Sequence, residues 1–288
     1  MEFVAEHTWQ VKERLWAENL AENLPVIRRS GDAGHLPMYP YPILVIGAGP
    51  SVQKHGQLPL IGERWGGKTI AVDRILKPCI EAGITPDYVV TADADESVAG
   101  FYDGLGGGET RAVLHVFSHP RTLERCPYER FFYLTPLDDP TAPRSLTRLI
   151  HLMTGGKVIF SSFGNAGGQA VNLALFLGAS EVIMVGLDYG YPADFPLEET
   201  PYFRSYEWLA KRRGKRVERF FTRVRNPDTR EEVVLDLNWI AYREVFLKHM
   251  RMLRGRRVRV INCSPTSSLF GEGIEFMDLE EAIQRWGR

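Results

Sequence analysis

The run Ile43-Leu44-Val45-Ile46-Gly47-Ala48-Gly49-Pro50-Ser51 joins four apolar residues to a glycine-rich turn. Apolar residues without polar alternation are what a strand buried on both faces requires. A serine after such a turn is suited to open a helix. The same order of apolar strand, turn and helix repeats along the chain. Strands are predicted at 43–46, 69–72, 88–91, 112–117, 131–134, 158–160, 182–185 and 258–261, with helices at 75–82, 120–126, 145–153, 168–177 and 238–253. Strands alternating with helices at this spacing predict an α/β fold with a doubly wound, mostly parallel sheet.

Two segments stand outside this pattern. Residues 2–24 read as one amphipathic helix, with Val4, Val11, Leu15, Leu20 and Leu24 in partial helical register and Pro25 as its stop. Residues 30–42 hold Pro37, Pro40 and Pro42 and read as a linker or loop into the main body, so 1–42 form an N-terminal helix and linker and 43–288 the main domain. From about 190 to 236 the alternation breaks. A Pro- and Tyr-containing loop and a basic stretch lead into a β-hairpin around Asn226-Pro227-Asp228, and so long an excursion reads as an inserted lid.

The chain has 288 residues, 44% hydrophobic and 25% charged, near the globular average, which excludes a disordered, collagen-like or coiled-coil protein. A net charge of −1 argues against a nucleic-acid partner. That balance hides an asymmetry, because residues 203–259 carry 17 Lys/Arg against 7 Asp/Glu. The basic stretch reads either as a cover for an anionic substrate or as solvated helix faces. Cys79, Cys126 and Cys263 match no zinc or CxxC spacing and are expected to be reduced and buried. No apolar run is long enough for a membrane span, residues 1–23 do not read as a signal peptide, and a cytoplasmic location is expected.

Candidate chemistry gathers where strands end. Gly47 and Gly49 let the backbone approach a phosphate and Ser51 can bond it, unless the turn merely packs tightly. The third glycine of a dinucleotide fingerprint is missing and no Walker A lysine follows, so neither a nicotinamide nor a flavin is expected. Asp73 ends the next strand, as a ribose-binding acid or a helix cap. Asp93 and Asp95 leave the third strand two residues apart and can share a Mg²⁺, or form an acidic solvated turn. His119 lies at a strand tip, placed to hold a phosphate or act as a base. Gly164, Asn165, Gly167 and Gly168 form a second glycine-rich entry into a helix, and Asp188 followed by Tyr189 closes the next strand. A rim this acidic beside glycine-rich loops suits a nucleotide held with a divalent metal.

These residues also carry a family resemblance. Gly47-x-Gly49-Pro50-Ser51, Ala71-Val72-Asp73, the run from Ala82 to Val90, Leu177-Gly178-Ala179 and Val185-Gly186-Leu187-Asp188 resemble the MptE-like superfamily over roughly residues 15–285. That group contains archaeal 6-hydroxymethylpterin diphosphokinases and the bacterial motility-associated factor (Maf) proteins, which are sialyltransferase-like. Trp16-x-x-Asn19, Asn23-Leu24 and the late run from Val260 to Pro265 look more like the Maf branch. The resemblance implies a Rossmann-like nucleotide-dependent transferase using a CMP-activated nonulosonic acid and a hydroxyl acceptor on a protein or glycan. By the same resemblance Gly47, Gly49 and Ser51 hold the donor phosphate, Gly164 and Asn165 contact nucleotide or sugar, and Asp73 and Asp188 frame the site. His119 or Tyr189 then moves the proton, and the basic 203–259 segment covers the donor. Pterin diphosphokinase activity with Mg²⁺ on Asp93 and Asp95 is the alternative. Where the family has Gly-Gly, this chain has Ser-Pro-Thr-Ser-Ser after Cys263, which keeps a non-catalytic nucleotide-binding scaffold as a third reading. A homo-oligomer joined through the Trp-bearing first helix is a further expectation.

Overall fold

The computed structural model describes the backbone of residues 2–287 and the side chains of residues 12–287, so Val4 and Val11 of the expected apolar stripe lie outside the described side chains. The chain begins with helix α1 (Glu2–Arg29) and strand β1 (Gly31–Asp32). Strand–helix units follow: β2 (Ile43–Ile46) with α2 (Ser51–Lys54) and α3 (Gln57–Arg64), β3 (Lys68–Val72) with α4 (Leu76–Glu81), then β4 (Tyr88–Thr91). Next come β5 (Arg111–His115), α5 (Pro120–Arg125), β6 (Glu129–Tyr133), α6 (Leu146–Met153), α7 (Ala166–Phe176) and β7 (Glu181–Val185). An insertion holds β8 (Tyr191–Pro192), α8 (Phe203–Arg213), β9 (Phe221–Arg225) and β10 (Glu232–Asp236). The chain closes with α9 (Leu237–Met252), β11 (Arg259–Asn262), β12 (Ile274–Phe276) and α10 (Leu279–Trp286).

The main sheet runs β1-β6-β5-β4-β3-β2-β7-β11-β12. Every neighbouring pair in it is parallel. The chain winds outward from β2 through β3 to β6, then returns to place β7 on the other side of β2. The strand order therefore reverses between β2 and β7, and the carboxyl ends of these two strands flank the crevice where open α/β sheets bind ligands. Successive strand residues point to opposite faces. Val90, Val113 and Tyr133 join the core under α7, while Val89, Ala112, Leu114 and Phe132 join a second core that receives Leu20 and Ile27 of α1.

The structure differs from the sequence expectation at four places. Helix α1 does not stop at Pro25 but runs to Arg29, because Ile27 is fully buried in the next turn and Ser30 closes the helix on the Val26 carbonyl. The segment 30–42 is not a bare linker, since β1 pairs with β6 at the sheet edge. The strand expected at 158–160 is reduced to one bridge between Leu134 and Ile159. At the opposite edge β12 adds a ninth strand that the sequence pattern does not reveal. The expected hairpin is present: β9 and β10 pair antiparallel, with Asn226 Oδ1 accepting the Asp228 amide in the turn, and β8 joins them in a second small sheet. All three cysteines are free and buried. Among the described residues no helix is long and apolar enough to cross a membrane.

Candidate functional site

The carboxyl edge of the sheet gathers the candidate residues into an arc of three clusters. At the switch point Asp188, following β7, reaches the loop after β2. Its Oδ2 accepts the Ser51 amide at 2.8 Å and its Oδ1 accepts the Ser51 hydroxyl. The Gly47 amide bonds Val185 O and the Gly49 amide bonds Gly186 O, both at 2.8 Å. A Cβ on Gly49 would lie 2.6 Å from Asp188 Cγ, and one on Gly47 would lie 2.8 Å from the Gly186 carbonyl carbon. The amides expected to cradle a phosphate are thus spent inside the fold, and these glycines serve close packing of two loops. Asp188, expected to frame the catalytic site, is a buried pin for Ser51. Burial raises its pKa to about 6 despite the two bonds from Ser51.

The second cluster forms at the start of α7. Asn165 caps this helix, its Oδ1 accepting the Gly168 amide at 2.8 Å and the Tyr189 hydroxyl at 3.1 Å. Its Nδ2 is buried with no hydrogen-bond partner. Gly164 takes φ +86°, and its α-carbon abuts Tyr242 of α9, where a Cβ would come within 2.7 Å of the ring. Tyr189 is itself buried between Trp239 and Phe246, and burial raises its phenol well above the ordinary range. A phenol so held donates to Asn165 and is unsuited to being a base near neutrality.

The third cluster carries the carboxylates. Asp73, buried behind the tip of β3, accepts the Arg74 amide at 2.7 Å, and burial raises its pKa to about 6. Asp93 and Asp95 converge on one point, where Lys12 Nζ sits 3.3 Å from Asp93 Oδ1 and is bonded to Asp95 Oδ2. Burial pushes the Asp93 carboxyl up, but the Lys12 charge and its hydrogen bonds outweigh this and leave it lowered. Convergence on one cation position fits a hydrated Mg²⁺, which is commonly held by one or two carboxylates plus water. Among the described residues no group of three or more His, Cys, Asp or Glu could surround a metal ion. His119 stands apart as the cap of α5, its Nδ1 accepting the Arg121 amide. With that nitrogen accepting, the neutral ring carries its proton on Nε2, so in this arrangement His119 is a donor and not a base.

Several residues that the sequence does not single out complete the arc. The phenol of Tyr202, in the insertion, is held above its usual range by burial and by the charges of Asp236 and Asp93. The Tyr242 phenol is likewise raised by burial and by the charges of Tyr202, Asp93 and Asp236. Asp236, fully buried, accepts from Tyr191 and from the Trp239 amide and ties the insertion to α9. The arginines and lysines of α8 are exposed to solvent.

The buried groups act on stability with opposite signs. A carboxyl whose folded pKa is raised favours folding most below its unfolded value, and that advantage fades as pH rises toward about 6. His115, fully buried with its pKa lowered to about 3, acts oppositely, losing stability as pH falls below its unfolded value of 6.5. The Asp73→Asn variant lacks one acid-side gain. Its unfolding free energy is expected to drop about 1 kcal/mol further than wild type between pH 7 and pH 5, as measured by urea titration. Parallel curves for the two proteins would contradict the raised Asp73 ionisation.

A parallel sheet of this order, with an acidic rim beside its switch point, defines a doubly wound α/β protein. The family described as 6-hydroxymethylpterin diphosphokinase MptE-like matches residues 18–194, and the chain belongs to that family. A 6-hydroxymethyl-7,8-dihydropterin pyrophosphokinase from Pyrococcus furiosus is 29% identical over 147 residues, 51% of this chain and 55% of that protein. The match thus spans about half of that relative's length. Among solved structures, the MAf glycosyltransferase from Magnetospirillum magneticum AMB-1 shares the fold at a TM-score of 0.63 with 14% identity, over 90% of this chain and 38% of that one. Both relatives are transferases, of different kinds.

Proposed function

We propose that this protein is a glycosyltransferase that takes a donor carrying a single phosphate, a CMP-activated nonulosonic acid, and transfers the sugar to a hydroxyl acceptor. The observation that carries this reading is the engagement of the Gly47, Gly49 and Ser51 amides within the fold. With the first loop filled, a triphosphate has no amide cradle there. The entry to α7 suits one phosphate, because the first amides of a helix have no partner within it and Asn165 Nδ2 is unbonded. Gly164 lets the chain pass close to Tyr242, whose ring, with Tyr202, provides flat surfaces for a base or sugar. The acceptor oxygen forms a bond to the anomeric carbon as the bond from that carbon to the phosphate oxygen breaks and CMP departs. Asp73, its pKa raised by burial to about 6, takes the acceptor proton.

Diphosphoryl transfer from ATP to a pterin alcohol is the second reading, favoured by the family match and by the convergence of Asp93 and Asp95 on one cation position. There the pair would hold Mg²⁺, which neutralises charge on the triphosphate. A thermal-shift panel of CMP, a CMP-activated nonulosonic acid and ATP, each with and without Mg²⁺, separates the two. A ligand at 100 times its Kd adds about 2.7 kcal/mol, a shift of several degrees. A shift with CMP in the absence of Mg²⁺ is expected. A shift confined to ATP with Mg²⁺ would transfer the assignment to diphosphoryl transfer, and silence throughout would favour a scaffold.

A further inference from the structure

Lys12 does more than decorate a surface helix. Lys12, Trp16, Asn19, Leu20, Asn23 and Ile27 fall on one face of α1 by the 3.6-residue repeat. That face is seated on the carboxyl ends of β4 and β5. Asn19 Nδ2 donates to Ala94 O and to Phe117 O, both at 3.0 Å, and Asn23 Nδ2 donates to Ser118 O at 2.7 Å. Trp16 stacks on Phe117 with ring centroids 5.3 Å apart, and Leu20 and Ile27 enter the core. The helix is therefore fixed in register independently of Lys12, which it delivers about 10 Å beyond Asn19. There the ammonium meets both Asp93 and Asp95. Burial alone would lower the lysine pKa, but Asp95 and Asp93 outweigh it and leave it raised.

We infer that Lys12 is the resident cation of this rim: its ammonium occupies the position between Asp93 and Asp95 at which a divalent metal would bind, and it excludes that metal in the folded protein. The pair is left with one uncompensated negative charge instead of two, which eases the approach of an anionic donor. Carboxylates spaced for a metal thus become a site whose positive charge is built into the chain. The inference goes beyond the glycosyl-transfer chemistry proposed above, and it is incompatible with Asp93 and Asp95 serving as the Mg²⁺ pair of the diphosphoryl reading.

The test uses Mn²⁺ and no nucleotide, so its outcome is separate from the identity of the donor. Electron paramagnetic resonance of free Mn²⁺ is recorded against wild type, Lys12→Met, Lys12→Arg, and Lys12→Met combined with Asp95→Asn. Lys12→Met is expected to sequester one Mn²⁺ per chain at least about tenfold more tightly than wild type, since a unit charge is removed from contact distance. Lys12→Arg should match wild type, and the added Asp95→Asn should abolish the gain. Because Asn19, Asn23, Trp16 and the core residues still seat α1, Lys12→Met should fold, and Mg²⁺ should raise its Tm but not that of wild type. Equal Mn²⁺ binding by wild type and Lys12→Met, or no binding by Lys12→Met, would overturn the assignment.

Discussion

Asp188→Ala is expected to lower the unfolding free energy by about 3 kcal/mol, while Asp188→Asn should cost less than about 1 kcal/mol at pH 7. Alanine leaves the buried Ser51 amide and hydroxyl without acceptors, and each unsatisfied group costs about 1–3 kcal/mol. Asparagine keeps an oxygen for the amide and offers its own N–H to the hydroxyl oxygen, while removing a buried charge that burial already disfavours. Urea unfolding at neutral pH followed by circular dichroism measures both. Gly49→Ala should resemble Asp188→Ala, because its Cβ would come within 2.6 Å of Asp188 Cγ. A stable Asp188→Ala protein would mean that the two loops are held by something other than this pin, and the amides of the first loop would again be open to a phosphate.

The central strands announce themselves because burial on both faces leaves no polar residue in 43–46 or 182–185. Both sheet edges escape notice for the complementary reason. Gly31–Asp32 is two residues long with no apolar content, and Ile274–Phe276 carries a glutamate at its centre. Their pairing is decided by the strand already in place, not by their own pattern. Pro25 misleads in the same way. An interior proline costs about 3 kcal/mol in an isolated helix, but burying Ile27 returns a large part of that sum.

The site is legible as positions and not as partners. Gly47, Gly49, Ser51, Asp73, Asp93, Asp95, Asn165 and Asp188 all lie at strand ends or helix starts along one edge, as spacing alone predicts. That Asp188 fills the loop around Ser51 cannot be read locally, because 137 positions separate them. Lys12 is hidden for a related reason. On its own helix it is one charged residue among several, and its role exists only because the Asn19 and Asn23 contacts set the register against β4 and β5. The available signal is the pair of asparagines inside an otherwise apolar stripe, since a polar side chain on a buried helix face must find partners.

The α7 entry permits a substitution that separates folding from donor binding. Asn165→Asp keeps an Oδ1 to accept the Gly168 amide and the Tyr189 hydroxyl, and aspartate caps a helix about as well as asparagine. The Tm is therefore expected to move by no more than a few degrees, the equivalent of about 1 kcal/mol. Donor binding should suffer far more. The substitution removes an unbonded side-chain donor at the loop and sets a negative charge where the phosphate would rest. Together these are expected to weaken CMP binding at least about 100-fold by calorimetry, with KM for the CMP-activated donor rising in step. Asn165→Ala, which also removes the cap, should lose both stability and affinity and cannot make the distinction. If Asn165→Asp bound CMP as wild type does, the phosphate would have to lie elsewhere on the rim. With the first loop closed by Asp188, the donor would then have to be held from the side of Lys12 and His119, away from α7.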